Sequence, residues 1–231
     1  MYFDNIKTSP IIVDIETCGL PNAGEFLEPV QSAKNLVDPA KIKADIEKRT
    51  QERDEKIALD WNVGRCVAIG WWTEESGTRA ACCFTEAHER GAIMSFWAIA
   101  RGRTIVTFNG RNFDLPYLIQ RSRYLGIAHP TLDLRPYGGE QGNVDLYLEL
   151  TFGRKDSPCM RQTLTAFCRR FGIPVTDEIA SKDIPALVAS DEWDKVAAHV
   201  TADVALTVTL ARKLGVIAQT QPAADAAVVG A

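Results

Sequence analysis

Residues 10–21 read PIIVDIETCGLP. The run at 10–15, PIIVDI, is short, apolar and β-branched, the pattern of a buried strand. Gly19 and Pro21 close it, and the turn-rich segment GLPNAGEFLEPVQSA follows. From Asp38 to Asp60 the pattern changes. Asp38-Pro39 is an N-cap and first-turn signature, and Ile42, Ile46, Ile57 and Leu59 leave only a thin apolar stripe. Residues 38–60 are therefore expected to form a highly charged helical insertion between two strands. Its charges are of both signs in near-equal number, which argues against a single-sign binding arm. Residues 65–73 (RCVAIGWWT) and 78–85 (TRAACCFT) form a predicted β-hairpin around Glu74-Glu75-Ser76-Gly77. On such a strand Trp71 and Trp72 face opposite sides.

Further along, Glu86 to Ala100 has helical spacing, with Ile93, Phe96, Trp97 and Ala100 on one side. Residues 103–108 (RTIVTF) form another strand, broken by Asn109-Gly110. Phe113 to Leu125 is expected as a helix with Pro116 in its first turn. Val144 to Leu150 is apolar without a decisive period. Cys159 to Phe171 is expected to be helical and to stop at Gly172-Ile173-Pro174, followed by helices at 183–189 and 191–214. Residues 218–231, with one charge and no periodicity, are expected to be a disordered tail. The order of elements predicts an α/β fold. A mixed sheet carries helices on both faces, one central strand runs parallel to the last, and the hairpin extends the other edge.

The chain has 231 residues, 46% hydrophobic and 24% charged, enough for one domain with a substantial core. Its net charge of −4 argues against coating a nucleic acid duplex by bulk charge but permits a local basic groove. The N-terminus lacks a signal-peptide pattern and no apolar run is long enough to span a bilayer, so a soluble, intracellular protein is expected. The six cysteines make no C-x-x-C pair, and with three histidines a zinc site is not indicated. Buried thiols are the expectation.

Three carboxylate signals stand out. Asp14 and Glu16 lie two apart and share one face of the first strand. Burying both is costly unless something positive lies between them, and a hard divalent cation fits. A fraying strand that turns both to solvent is the alternative. Asp114, in VTFNGRNFDLPYL (residues 106–118), stands where a strand gives way to a helix, a place where α/β sheets gather their sites. It either caps that helix or ligates metal. Asn109, at the strand end, either positions a substrate phosphate or bonds the loop backbone. His199 and Asp203, in HVTADVALT (residues 199–207), share a helical face beside the apolar face of Val196, Val200, Val204 and Val208. They are either a surface pair or a general base beside a metal-binding carboxylate. Asp145, in NVDLYLEL, either backs the site or caps a helix. Arg154, Lys155, Arg161, Arg169 and Arg170, interleaved with Phe152 and Phe167, are either a phosphate-tracking groove or a solvated helix face.

Together these motifs resemble the DEDD superfamily of 3′→5′ exonucleases, which has a ribonuclease H-like fold. IIVDIETCGLP, VTFNGRNFDLPYL and HVTADVALT match its first, second and third motifs in order. Among its members, the chain is most similar to the exonuclease domain of family B DNA polymerases and its stand-alone bacterial and phage relatives. The resemblance implies a five-stranded ribonuclease H-like sheet and a single exonuclease domain over residues 1–217. It implies that Asp14, Glu16, Asp114 and Asp203 hold two divalent cations, Mg²⁺ or Mn²⁺, for hydrolysis that releases nucleoside 5′-monophosphates. His199 would be the fifth catalytic residue, and Thr17, Asn109, Phe113 and Arg161 would contact substrate. Single-stranded DNA is the expected partner. RNA trimming and a non-catalytic nucleic-acid- or polymerase-associated module are the alternatives. A polymerase or a replication or repair protein would be a further partner, with no membrane, in the cytoplasm of a bacterium or of a phage-infected cell. One departure stands out. The family places Tyr four positions before the last Asp or His five positions before it, whereas here His199 stands four before Asp203. A shift of one position turns a helical side chain by about 100°, so His199 either aims at the site as the Tyr would and offers a base there, or misses it and leaves the water to be oriented by another group.

Overall fold

In a computed structural model that describes residues 9–134, 142–153 and 162–219, five strands form one sheet. They are β1 (Pro10–Gly19), β2 (Gly64–Thr73), β3 (Gly77–Cys82), β4 (Thr104–Thr107) and β5 (Asn143–Asp145), in the order β3-β2-β1-β4-β5. β2 pairs antiparallel with β1 and with β3, while β4 runs parallel to β1 and to β5. The central strand, the parallel neighbour and the edge hairpin are those the sequence predicts. The sheet and its flanking helices form the mixed α/β fold of the ribonuclease H type.

Alternation along β1 divides the core. Ile11, Val13 and Ile15 face α2 (Glu86–Ala100) and α3 (Asp114–Tyr124), packing with Ile93, Phe96, Leu115 and Leu118. Ile12 and Cys18 face the other side, which is covered by α5 (Leu164–Arg170), α6 (Ile184–Ala189) and α7 (Trp193–Lys213). On α7, Val196, Val200, Val204 and Val208 are all buried, as their spacing predicts. Each such side chain contributes roughly 1.5–3 kcal/mol of burial. Gly70 on β2 lets α7 come this close: a Cβ there would lie 2.9 Å from methyls of Val200 and Val204 and 3.1 Å from the Val200 carbonyl. Trp71 packs against the first face and Trp72 within the second, as adjacent strand positions require.

Several boundaries differ from the sequence reading. The first strand runs on to Gly19, because β2 continues to pair with it past Glu16. The pairing shifts there, with Glu16 opposite Ala68 and Thr17 opposite Cys66, so Val67 bulges out. The charged insertion gives α1 (Pro39–Asp54), with no buried residue; Ile57–Leu59 form a separate 3₁₀ turn against the sheet. Asp38 caps α1 by accepting from the Ala40 N–H. The stretch from Val144 is half strand and half helix, with β5 leading directly into α4 (Leu146–Thr151). The expected helix at 159–171 is described from Leu164.

Cys18, Cys66, Cys83 and Cys168 are buried free thiols. A salt bridge that sequence spacing did not reveal lies inside the first core. The Arg121 Nε and Nη2 atoms donate to the two Glu89 oxygens at 2.8 Å each, and the Cys66 N–H donates to Glu89 Oε1. This bidentate pair ties α2, α3 and β2 together. No helix among the described residues is long and apolar enough to cross a membrane.

Candidate active site

Past Ile12, β1 loses β4 as a partner, since their pairing covers only Pro10 to Ile12. The backbone edge that opens there is taken by α3. Asp114 stands at the first position of α3, and its Oδ1 accepts the Ile15 N–H at 3.1 Å. It does not cap its own helix; the N-cap is Phe113, without a side-chain bond. Asp14 and Glu16 lie on the face of β1 turned toward α7. The strand does not fray here: both residues stay paired with β2, Glu16 is 4% exposed and Asp14 is half-buried.

His199 and Asp203, one turn apart on α7, complete the floor. His199 is 3% exposed and Asp203 is half-buried, so they are not a surface ion pair. Its Nε2 lies 3.2 Å from Glu16 Oε1 and 3.9 Å from Asp203 Oδ2. Its Nδ1 is hydrogen-bonded to Asp177 Oδ2, and the Ile179 N–H donates to Asp177 Oδ1 at 3.1 Å. Glu16, His199 and Asp203 each offer a ligand atom, all within 4.8 Å of one another.

The electrostatics show the strain of this grouping. Burial first, and then repulsion from Asp114, Glu16 and Asp203, holds the Asp14 carboxyl well above the usual carboxylate range. Burial, Asp203, Asp114 and Asp177 do the same to Glu16. Burial pushes Asp114 up to about 7 even though backbone N–H donors pull it down. Asp203 is raised by burial, with the His199 ring pulling the other way and Asp177 adding repulsion. Such like-charged carboxylates ionise together only at a cost in free energy, which a counter-charge would relieve.

Beside this cluster opens a cleft of about 880 Å³. Asp14, His199, Asp203 and Asp177 line one part of it; Phe108, Asn109, Arg111 and Tyr147 line another. Asp145 caps α4 through the Tyr147 and Leu148 N–H groups and also accepts from the Asn109 and Arg111 N–H groups. It holds the loop after β4 against α4 and thereby shapes the cleft wall.

The residues expected to contact substrate separate. Asn109 borders the cleft in a left-handed conformation (φ 62°), with its Oδ1 accepting from Asn112 Nδ2 at 2.8 Å. Thr17 is turned away and donates its hydroxyl to Ala58 O at 2.6 Å. Phe113 packs against the α2/α3 core and Tyr117. Arg161, with Arg154 and Lys155, lies outside the described residues. Phe167 packs with Phe108 and Tyr147, while Phe152 is 86% exposed.

Comparison with known proteins bears on the family and the fold. A sequence model of the RNase_H superfamily matches residues 55–215. The chain is 30% identical over 139 residues to a DNA polymerase of Thermococcus aggregans, covering 53% of this chain and 7% of that one. It is 30% identical over 143 residues to a DNA polymerase of Pyrococcus glycovorans, covering 55% of this chain and 17% of that one. The chain thus spans only a small part of these polymerases. In fold it is similar to the family B DNA polymerase of Pyrobaculum calidifontis, with a TM-score of 0.59 at 19% identity, over 90% of this chain and 24% of that one. Sheet order, motif order and the family match agree: the chain belongs to the RNase_H superfamily and resembles the ribonuclease H-like exonuclease domain of family B DNA polymerases.

Proposed function

We propose that the chain is a divalent-metal-dependent 3′→5′ exonuclease for single-stranded nucleic acid, DNA in preference to RNA, with residues 1–217 as one catalytic unit. The observation that carries this reading is the gathering of Asp14, Glu16, Asp114 and Asp203 close enough to repel one another, each held above its ordinary pKa, with Asp14 and Asp203 lining the cleft. Carboxylate oxygens that repel one another in a buried site are a donor set for a hard divalent cation. These four acids would hold two Mg²⁺ or Mn²⁺ ions, which when bound activate a water and stabilise charge on a scissile phosphodiester.

The chain's own residues supply position. The Asp114–Ile15 bond fixes one acid to the strand that carries two others. The α7 face carries Asp203 and His199 over that strand. Phe108 and Tyr147 give the cleft an aromatic wall suited to stacking a terminal base. Arg111, tethered by its Nη2 to the Asn143 carbonyl at 3.0 Å, places a cation on the same wall for a backbone phosphate. The similarity to DNA polymerases supports DNA as the substrate.

A 5′-labelled single-stranded DNA incubated with Mn²⁺ or Mg²⁺ should give a ladder shortened from the 3′ end. Asp14→Ala and Asp203→Asn should each lower the rate by at least about 100-fold, since even outer partners of metal ligands cost about 10–100-fold. Products from RNA alone would reassign the substrate. No products from either would leave a nucleic-acid-binding module of the same fold.

A further inference from the structure

His199 combines three features that a bystander does not need. It is buried. Its Nε2 faces Glu16 Oε1 at 3.2 Å and Asp203 Oδ2 at 3.9 Å. Its other nitrogen, Nδ1, is bonded to Asp177, whose second oxygen is held by the Ile179 N–H. An Nδ1–H that donates to a carboxylate fixes the ring and leaves the Nε2 lone pair directed at the two acids. Metal-ligating histidines are held in this way, by a carboxylate behind the ring. Atoms bound to one ion at about 2.0–2.2 Å sit roughly 3.0–3.5 Å from each other. The Glu16–His199 separation falls within that range and the His199–Asp203 separation is just beyond it. The Ser181 hydroxyl, 3.4 Å from Nε2, is a weak competitor for the same lone pair.

We infer that His199 Nε2 is itself a metal ligand, forming with Glu16 and Asp203 a mixed nitrogen and oxygen site that favours a first-row transition ion such as Mn²⁺ over Mg²⁺. Asp177 is the residue that positions the ring. The inference rests on the metal-dependent reading of the same acids and specifies the chemistry of one of their ions. Imidazole nitrogen suits transition metals, whereas Mg²⁺ prefers oxygen and retained water. In this arrangement His199 does not take a proton from the attacking water, because its lone pair is engaged.

The test is spectroscopic and independent of turnover. The full chain is freed of metal, loaded with one equivalent of Mn²⁺ and studied by pulsed electron paramagnetic resonance. Wild type should show ¹⁴N modulation that converts to the ¹⁵N pattern on ¹⁵N-histidine labelling. The other two histidines, His88 and His129, do not line the cleft. His199→Gln should lose the coupling, and Asp177→Asn should weaken Mn²⁺ binding about 10- to 100-fold while changing Mg²⁺ binding less. Bound Mn²⁺ without histidine coupling in wild type would overturn the inference and leave the exonuclease reading standing. Histidine coupling with no cleavage of DNA or RNA would keep the site and overturn the nuclease instead. Because wild type alone carries the decisive signal, a poorly folding variant does not leave the inference untested.

Discussion

The Oδ1 atom of Asp114 accepts the Ile15 N–H, so this carboxylate is locked to the strand that presents Asp14 and Glu16. Asn at this position keeps the accepting oxygen and removes the charge. Asp114→Asn should therefore fold, and without metal it should be more stable than wild type near neutral pH, because a repelling charge in the cluster is gone. A gain of about 3 °C or more in Tm corresponds to roughly 1 kcal/mol in a chain of this size. The same variant should lose cleavage. Thermal unfolding in chelator together with the oligonucleotide assay checks both halves; a drop in metal-free Tm would show that the carboxylate is not strained. The four acids and His199 were legible in the sequence because each stands at a spaced, motif-bearing position: two apart on a strand, at a strand-to-helix junction, four apart on a helix. Asp177 gave no such signal. It lies in an irregular segment between α5 and α6, 22 residues from His199, and only packing against α7 brings the two together.

α7 carries two of the site residues, and β2 decides how close α7 can come. Gly70 on β2 is paired with Asp14 on β1, and it lies directly under Val200 and Val204, the residues flanking His199 and Asp203 on the helix. Gly70→Ala would place a methyl where both valine methyls and the Val200 carbonyl already crowd the space. The helix must then lift or the valines must change rotamer, at a cost of about 1–3 kcal/mol. Activity should fall more than stability does, because a displacement of His199 and Asp203 from Glu16 spoils the site directly. A denaturant melt and the exonuclease rate measured on the same protein compare the two; an unchanged rate would mean that α7 is not registered through this contact. The strong elements were readable from apolar period and caps, as at α7, α2 and the hairpin. β5 was not, since a three-residue strand has no period of its own and is recruited by β4. The Glu89–Arg121 pair was hidden for a similar reason. Each is a charge on the buried stripe of its own helix, Glu89 in line with Ile93 and Arg121 in line with Leu118, but the 32-residue separation becomes a bidentate bond only once α2 and α3 pack on one face.

Both helical layers meet on β1 just past Ile12, where β4 leaves it, and the folded chain gathers negative charge there that the unfolded chain keeps apart. This couples folding to protons and to metal. Asp14, Glu16, Asp114 and Asp203 all have folded pKa values above their ordinary ones, with Asp114 at about 7. Between the ordinary carboxylate range and neutrality the folded state thus binds more protons than the unfolded state. By linkage, the stability these groups contribute is full below about pH 4 and is lost as pH rises toward 7. The metal-free protein should accordingly show a falling Tm from about pH 5 to about pH 7.5. A cation that binds only the folded state offsets this loss, by about 2.7 kcal/mol at a concentration of 100 times its Kd, or roughly 5–10 °C for a chain of this length. Saturating Mn²⁺ or Mg²⁺ should therefore raise Tm at pH 7.5 far more than at pH 5, where protons already neutralise the cluster. Calorimetry or dye-based melts across that range, with and without chelator, read the effect, and Asp14→Asn combined with Asp203→Asn should flatten it. An equal metal-induced shift at both pH values would mean that the ion binds elsewhere than among these carboxylates.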